Sequence, residues 1–217
     1  MTNTLESIYR EHHQQRRGSG FAILKDARGN FIKSAIGTGK HVLDIGCRDG
    51  ALTSLFVDDN VVTGVDIDKV ALDMAERTYG IKTIQLNLND TWPFVEKSFD
   101  AAVAAEVLEH VYYPDQIVQK IAYVLKPSGV FAGSVPNAYS LINRLRYLKG
   151  QKRHTPLSDP THINHFSYTE LRDMLSKHFK EVKIVPLGRF AFLDKFIPGF
   201  FAFDFMFQAS HVRHIAS

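Results

Sequence analysis

Two aspartates occupy positions where a ribose-containing ligand could bind. Asp44 lies near the carboxyl end of an apolar run, and a turn with Gly46 and Gly50 follows it. Asp66 ends the next apolar run, 22 residues after Asp44. Ligands of open α/β sheets bind beyond the carboxyl ends of the strands, and an acid at this offset can accept hydrogen bonds from a ribose diol. Glycine turns alone also occur in α/β proteins without such a ligand, so Asp66 makes the pattern specific.

A second group of ionisable residues follows the fourth apolar run. Glu106, Glu109 and His110 are spaced so that their side chains converge if a helical turn forms there. Together they could hold a divalent metal that polarises an acceptor hydroxyl. Without a metal, His110 or His165 could act as a general base, because an unperturbed imidazole titrates at about pH 6.5. A purely structural turn before Pro114 is the third interpretation.

The elements that must position these residues alternate between strand and helix. This alternation predicts a parallel sheet covered by helices on both faces. Strands are predicted at residues 42–45, 61–67, 82–88, 99–105 and 130–135. Helices are predicted at residues 51–57, 69–78 and 114–126, and Pro127 and Gly129 indicate a turn at 126–129.

The regions on either side of residues 40–136 depart from this alternation. Residues 1–36 are predicted to be helical in two pieces, divided at Gly18-Ser19-Gly20. Residues 141–149 are predicted as a basic helix and residues 168–178 as a further helix, which begins with a capping box of Ser167 and Glu170. Strands at 181–186 and 200–209 complete the prediction. We expect one domain, 1–217, with a ligand-binding core at 40–136.

The composition excludes several classes of protein. Hydrophobic residues make up 45% and charged residues 23% of the chain, which excludes a mainly disordered protein. The single cysteine, Cys47, excludes an internal disulfide and a cysteine-rich zinc site. No secretory signal and no run of about 18 apolar residues is found, so a cytoplasmic location is expected. The net charge of +3 is too small to indicate a nucleic-acid partner.

Several motifs give the sequence a family resemblance. Residues 40–136 contain, in this order, VLDIGCRDG, GVDID, NLNDTWPF and SFDAAVAAEVLEHVYYPDQIVQKIAYVLKPSGVFAGSVPN. The segment resembles the class I S-adenosylmethionine (SAM)-dependent methyltransferases, most of all the small-molecule branch that includes the ubiquinone-biosynthesis O-methyltransferases. The resemblance implies a Rossmann-like α/β fold with a seven-stranded, mostly parallel sheet and an antiparallel last strand. It also implies SAM as the cofactor.

The resemblance further implies a role for individual residues at the cofactor. Four residues would surround the methionine part of SAM: Asp44, Gly46, Cys47 and Gly50. Five others would contact the remainder: Asp66 the ribose hydroxyls, Ile67 the adenine face, Asn87 and Leu88 the adenine edge, and Glu106 one flank of the cofactor. Asn87 stands where the family more often has Asp, and its amide can still both donate and accept at the adenine.

Arg48 is a departure from the family pattern. The pattern reads Asp-x-Gly-x-Gly-x-Gly, and Arg48 replaces its middle glycine. Glycine at such a position permits close approach or unusual backbone angles. We therefore expect either an ordinary backbone conformation with the side chain turned outward, or weaker binding of SAM. A methyltransferase-like binding scaffold with weak catalysis is one alternative function.

The Glu-x-x-Glu-His motif supports another alternative. In some relatives, among them ubiquinone O-methyltransferases and a small-RNA 2′-O-methyltransferase, such a motif binds a divalent metal, and the RNA enzymes also use a later histidine. Here His162 and His165 form a later His-x-x-His. The resemblance thus keeps open a metal at Glu106, Glu109, His110 and His162. A metal-dependent RNA 2′-O-methyltransferase is the corresponding function, against which the small net charge argues.

Aromatic residues concentrate near the C-terminus, where residues 190–217 hold eight of the 16 phenylalanines. Alternation over residues 201–207 predicts a strand with its phenylalanines on one face and Asp204 on the other. The preceding residues 188–200 are interpreted as an insertion that caps an acceptor pocket or touches a lipid surface beside the basic helix at 141–149. A solvated face is the simpler interpretation of that helix.

These observations lead to one expected function. A nicotinamide oxidoreductase would need Gly-x-Gly-x-x-Gly, which GCRDG lacks. We expect methyl transfer from SAM to oxygen of a small or lipid-linked acceptor, with the protein supplying mainly alignment. The acceptor would be bound by residues 1–36 and 137–200. Peripheral contact with a membrane is a further interaction that these residues could make.

Overall fold

A seven-stranded sheet forms the centre of the computed structural model, which describes residues 6, 7, 11, 20 and 24–213. The strand order is β3-β2-β1-β4-β5-β7-β6. The strands are β1 His41–Ile45, β2 Val61–Asp66, β3 Lys82–Gln85, β4 Phe99–Ala105, β5 Leu125–Pro136, β6 Phe179–Leu187 and β7 Asp204–Val212. Strands β1 to β5 are parallel, and β7 runs antiparallel to β5 and β6. The predicted seven-stranded, mostly parallel sheet is confirmed.

Helices cover both faces of this sheet. Those with described bounds are α1 Lys25–Ile36, α2 Lys69–Tyr79, α3 Pro114–Val124, α4 Leu141–Leu148 and α5 Tyr168–His178. Neighbouring residues of β1 belong to different apolar clusters: Leu43 shares one cluster with Ile117 of α3, and Val42 shares the other with Ile32 of α1. Because alternate side chains of a strand point to opposite faces, this burial on both sides explains the nearly continuous apolar runs of the sequence.

The order of the strands determines where a ligand can bind. From β1 the chain moves outward to β2 and β3, and then returns to pair β4 with the other side of β1. The strand order therefore reverses between β1 and β4, and a crevice is expected beyond the carboxyl ends of these two strands. Asp44, Asp66 and Glu106 all lie at this carboxyl edge.

The prediction of a helix at residues 51–57 is wrong. The structure has only a short 3-10 helix, Thr53–Leu55, within a series of turns. The Thr53 hydroxyl donates to Asp44, and the Ser54 hydroxyl donates to the Ala51 carbonyl oxygen. So short a segment gains little from helix propagation, and these side-chain bonds favour turns instead.

Other boundaries differ at the ends of strands. β3 ends at Gln85 rather than residue 88, because the Asn87 side chain accepts from the Asn89 amide and begins a turn. β5 begins at Leu125, and the predicted turn at 126–129 lies inside it as a bulge. Its pairing with β4 moves from Phe99↔Leu125 to Ala101↔Val130, so three extra residues are accommodated on β5.

The C-terminal strands also differ from the prediction. β6 extends beyond residues 181–186 at both ends, and β7 begins at Asp204 instead of residue 200. Phe205 and Phe207 are buried as predicted, but Phe201 and Phe203 precede the strand. The segment before β7 is held as a loop by the side chains of Asn137 and Asp194, which bond to its backbone. At the end of the segment, the Phe203 amide donates to the Leu187 carbonyl oxygen of β6.

The helical predictions at the two ends of the chain fare differently. α5 begins with the predicted capping box, in which the Ser167 hydroxyl accepts from the Glu170 amide and the Glu170 carboxylate accepts from the Ser167 amide. α1 matches the second predicted N-terminal piece. The first piece lies mostly outside the described residues.

Within 24–213 and the four earlier described residues, no helix combines the length and apolarity needed to span a membrane.

A buried ion cluster fixes α1 to the sheet. Arg28 of α1 pairs with Glu106, which follows β4, at 3.0 Å, and also pairs with Asp204 at the start of β7. All three side chains are buried, and Asp204 is 0% exposed. Removing charges from water is costly, but truncation of one partner costs more because it leaves an uncompensated charge. The cluster therefore joins three remote parts of the chain.

We expect Asp204→Ala to lower the free energy of unfolding by about 3–5 kcal/mol, because the Arg28 guanidinium loses a buried partner. Chemical denaturation measures this change. Lys177→Ala is the matched control, since Lys177 pairs with Asp115 at the surface and such pairs contribute about 0–1 kcal/mol. Equal losses in the two variants would contradict the importance of the buried cluster.

Candidate active site

The turn after β1 leaves no room for side chains at two glycines. Gly46 has φ +69°, and a Cβ there would lie 2.6 Å from Val107 Cγ2. Gly50 has φ +77°, and its Cβ would lie 2.8 Å from the Tyr79 ring. The amides of Gly46 and Cys47 donate to the Val65 carbonyl oxygen at 2.8 and 3.1 Å. The turn is thus packed closely against β2 and the residues after β4.

Cys47 contributes to this turn through packing. Its side chain is buried, and Sγ would be 2.6 Å from a Cβ placed on Gly64 of β2. Burial, with the nearby charges of Asp44 and Asp66, raises the pKa of the Cys47 thiol well above its ordinary range. The thiol is therefore protonated at neutral pH and is unsuited to act as a nucleophile.

Arg48 does not adopt an ordinary backbone conformation, which was one of the two alternatives expected from the sequence. Its φ is +52°, in the left-handed region that favours glycine. Its amide donates to Asp66 Oδ2 at 3.0 Å. The conformation that the family pattern assigns to glycine is therefore retained, and the hydrogen bond to Asp66 accompanies the strained backbone.

The two aspartates of the predicted ligand site are buried side by side. Asp44 accepts from the Thr53 hydroxyl at 2.6 Å, and Asp66 accepts from the amides of Arg48 and Asp68. Burial raises the pKa of Asp44 to about 7, while the Thr53 hydrogen bond opposes this shift and the Asp66 charge adds to it. Burial raises the pKa of Asp66 to about 6, and its backbone hydrogen bonds oppose the shift. A cationic ligand would favour the ionised form of both.

The residues predicted at the adenine follow β2 and β3. The Leu86 amide donates to the Asp66 carbonyl oxygen at 2.8 Å, which holds the loop after β3 beside the end of β2. Ile67 is partly buried, and its carbonyl oxygen accepts from Gln85. Leu88 is also partly buried and packs against the core. The structure thus brings these residues to the same edge as Asp66, with the Asn87 side-chain oxygen engaged in its own turn.

Glu106 belongs to the buried ion cluster. It has φ +58°, and its Oε1 accepts from Arg28 and from the Ser134 hydroxyl at 3.2 Å. Its amide donates to the Ser134 carbonyl oxygen at 2.9 Å. Glu106 therefore lies at the expected carboxyl edge, and its Oε1 is bonded to both Arg28 and Ser134.

Glu109, His110 and His162 form a compact group of side chains. Of the described residues, these three bring potential ligating atoms within 4.8 Å of one another, and Glu106 and His165 do not join them. Glu109 is fully buried, and within the described part of the chain its carboxyl oxygens have no hydrogen-bond partner. Burial and the Glu106 charge raise the pKa of Glu109 well above its ordinary range. The convergence that the motif predicted thus occurs, but with His162 in place of Glu106.

Backbone hydrogen bonds bring the histidine loop to this position. The amides of Ile163 and Asn164 donate to the Glu109 carbonyl oxygen at 2.9 and 3.0 Å. His110 Nδ1 lies 2.9 Å from the Thr161 carbonyl oxygen, so this nitrogen is the donor of a neutral ring, and Nε2 lies 3.8 Å from Glu109 Oε1. Two segments about 50 residues apart in sequence therefore form one site.

His165 lies on the same loop, beside the end of β5. The next residue, Phe166, forms a parallel bridge with Asn137, which directly follows β5. Burial lowers the pKa of His165, and no partner of its Nε2 is found among the described residues. His165 is therefore neutral at pH 7 and can accept a proton. Thr53, Thr161 and Arg28 were not predicted from the sequence, because their roles depend on contacts that form only in the folded chain.

Comparison with known proteins shows which class of protein this chain is similar to. Residues 43–133 match a family model described as a methyltransferase domain. A ubiquinone biosynthesis O-methyltransferase of Coxiella burnetii is 35% identical over 115 residues, which cover 49% of this chain and 48% of that protein. A probable S-adenosylmethionine-dependent methyltransferase of Mycolicibacterium smegmatis is 31% identical over 146 residues, which cover 67% of this chain and 53% of that protein. The chain spans about half the length of these relatives.

Solved structures give the same fold. A SAM-dependent methyltransferase from Archaeoglobus fulgidus superposes with a TM-score of 0.68 at 19% identity, covering 93% of this chain and 99% of that chain. The fold and the position of the candidate site define a Rossmann-like α/β protein of the class I methyltransferase type. Together with the matched segment, these findings support assignment of the chain to the class I SAM-dependent methyltransferases.

We expect Arg48→Gly to raise the free energy of unfolding by about 0.5–1 kcal/mol. Relief of left-handed strain contributes about 1–2 kcal/mol, and the greater flexibility of unfolded glycine offsets about 0.5–1 kcal/mol of it. Thermal or chemical denaturation measures the change. Arg77→Gly in α2 is the matched control, and there the same substitution lowers stability by about 1 kcal/mol. A loss of stability in both variants would argue against strain at Arg48.

Proposed function

We propose that the protein transfers the methyl group of SAM to oxygen of a small or lipid-linked acceptor. One observation supports the proposal most strongly. Two buried carboxyl groups, Asp44 and Asp66, lie beside a glycine turn at the reversal of strand order, and burial raises the pKa of both. Such a site favours a ligand with positive charge and hydroxyl donors, and SAM carries a sulfonium, an ammonium and a ribose diol.

The residues of the turn suit the binding of SAM. Asp44 would face the positively charged methionine part, together with Gly46, Cys47 and Gly50. Asp66 would accept from the ribose hydroxyls, because each carboxylate oxygen can accept a further hydrogen bond beyond those from Arg48 and Asp68. Ile67, Asn87 and Leu88 would contact the adenine, and Glu106 would flank the cofactor through its ion cluster.

Bound SAM supplies an electrophilic methyl group, so the task of the chain is alignment, exclusion of water and removal of a proton from the acceptor. His110 and His165 are the proposed general bases. In a neutral His110 ring, Nδ1 donates to the Thr161 carbonyl oxygen and Nε2 carries the lone pair, and burial favours the neutral form of His165. Both lie on segments that meet beyond the carboxyl edge of the sheet. The relatives named for ubiquinone biosynthesis are O-methyltransferases, which supports oxygen as the methylated atom.

Isothermal titration with SAM tests the binding site. We expect Asp44→Asn and Asp66→Asn each to weaken affinity by about tenfold or more, since each loses a charge-assisted contact. Because the pKa of Asp44 is about 7, affinity should rise with pH up to about 7, and binding below that pH should release protons. The exposed Asp73→Asn is the control and should leave affinity unchanged. If wild-type protein binds no SAM, the scaffold alternative replaces the enzyme.

A second candidate is a metal-dependent methyltransferase of the RNA 2′-O type, which the group of Glu109, His110 and His162 favours. Their carboxylate and imidazole donors suit a divalent transition metal. Such a metal would act as a Lewis acid on the acceptor oxygen. The residues that would hold it are these three, whereas Glu106 is committed to Arg28.

Substitution of the histidines separates the two candidates. With a metal-free base, we expect His110→Gln or His165→Gln to reduce methyl transfer by about 10²–10⁴-fold, with no change in SAM affinity and no response to added Mn²⁺. With a metal, Mn²⁺ should raise the thermal stability of wild type, and His162→Gln should abolish that shift. His41→Gln, on an exposed residue, is the control. Full activity in the His110 and His165 variants would contradict the proposed role of these two histidines as general bases.

A further inference from the structure

Helix α4 presents its apolar side chains to solvent. Ile142, Leu145 and Leu148 are spaced three residues apart on one face, and all three are exposed, Leu148 by 84%. The buried residue of this helix is Asn143, whose side-chain amide donates to the Asn137 carbonyl oxygen. Helices at the surface of a domain normally bury the apolar face and expose the polar one. The polarity of α4 is therefore inverted.

The segment at residues 190–203 also exposes large apolar side chains. Phe192 and Phe196 are 66% and 72% exposed, and Phe190, Ile197 and Phe203 are also exposed. Its backbone is nevertheless held firmly, because the buried Asp194 carboxylate accepts from the amides of Gly199 and Phe201. The buried Asn137 side chain donates to two further carbonyl oxygens of the segment. The rings are thus exposed even though the backbone that carries them is held in place by hydrogen bonds.

The two segments adjoin each other. The Leu141 amide at the start of α4 donates to the Phe200 carbonyl oxygen at 2.7 Å. The Arg144 guanidinium lies 6.0 Å from the centre of the Phe200 ring. We name the exposed residues of 141–153 and of 189–203 the aromatic-basic surface.

Positive charge dominates these segments. Residues 141–153 contain five cations and no acid: Arg144, Arg146, Lys149, Lys152 and Arg153. Residues 188–203 add Arg189 and Lys195, and their single acid, Asp194, is buried. The chain as a whole has a net charge of only +3. Cations and exposed apolar groups are therefore concentrated together.

We propose that the aromatic-basic surface docks on an anionic phospholipid bilayer. Its phenylalanine and aliphatic side chains would enter the boundary of the acyl chains, and its lysines and arginines would pair with headgroup phosphates. A bilayer fits better than a nucleic acid, because Ile142, Leu145 and Leu148 have no ring with which to stack on bases. The proposal does not depend on the reaction that the protein catalyses.

Vesicle flotation tests the docking. Wild type should float with vesicles of phosphatidylcholine and phosphatidylglycerol, far less with phosphatidylcholine alone, and less as salt is raised. Phe192→Ser/Phe196→Ser should weaken binding by about tenfold or more, and Lys149→Gln/Lys152→Gln by about tenfold. Val61→Ser/Val95→Ser is the control, since these side chains are 64% and 76% exposed elsewhere, and it should bind as wild type does. Circular dichroism and thermal denaturation show whether each variant is folded.

Several results would overturn the proposal. One is the failure of wild type to float with the anionic vesicles. Another is unchanged binding by the folded double phenylalanine variant, which would reduce the effect to unspecific charge. If wild type ignored vesicles but formed a dimer that this variant abolished, the surface would be an interface between two copies. If it ignored vesicles but retained RNA on filters through the same residues, it would be a nucleic-acid surface.

Discussion

The burial of charged side chains at the carboxyl edge of the sheet is the constraint on which this structure depends. Parallel strands all end at this edge, so the acids at the carboxyl ends of β1, β2 and β4 are brought together away from water. Buried charge is costly unless it is neutralised or hydrogen-bonded. A different group compensates for this cost at each acid. Asp44 receives a hydroxyl, Asp66 receives backbone amides, and Glu106 receives Arg28.

These compensating contacts also explain how distant segments come to form one site. Arg28 ties the N-terminal helix to β4 and β7, and the histidine loop is held by the carbonyl oxygen of Glu109. The charge left on Asp44 and Asp66 is what a cationic cofactor would complement. The ion cluster is therefore structural, whereas the two aspartates beside the glycine turn remain available to a ligand.

The sequence predicted what local pattern determines. The alternation of strands and helices, the capping box at Ser167 and the position of the acids at one edge are confirmed. Features that depend on remote partners were not predictable: the buried pairing of Arg28, the turns at residues 51–57 and the inverted polarity of α4. The left-handed backbone conformation of Arg48 was not predicted, because the residue type arginine does not indicate a positive φ. The cofactor contacts, the general bases and the cytoplasmic location stay predictions.

A crystal structure of the protein with S-adenosylhomocysteine tests the central claim most directly. The ligand has the ribose and amino acid of SAM but no methyl to transfer. We predict that its ribose hydroxyls lie within hydrogen-bonding distance of the Asp66 carboxylate, with the amino-acid part against Asp44 and the glycine turn. A ligand bound elsewhere, in contact with neither aspartate, would contradict the account.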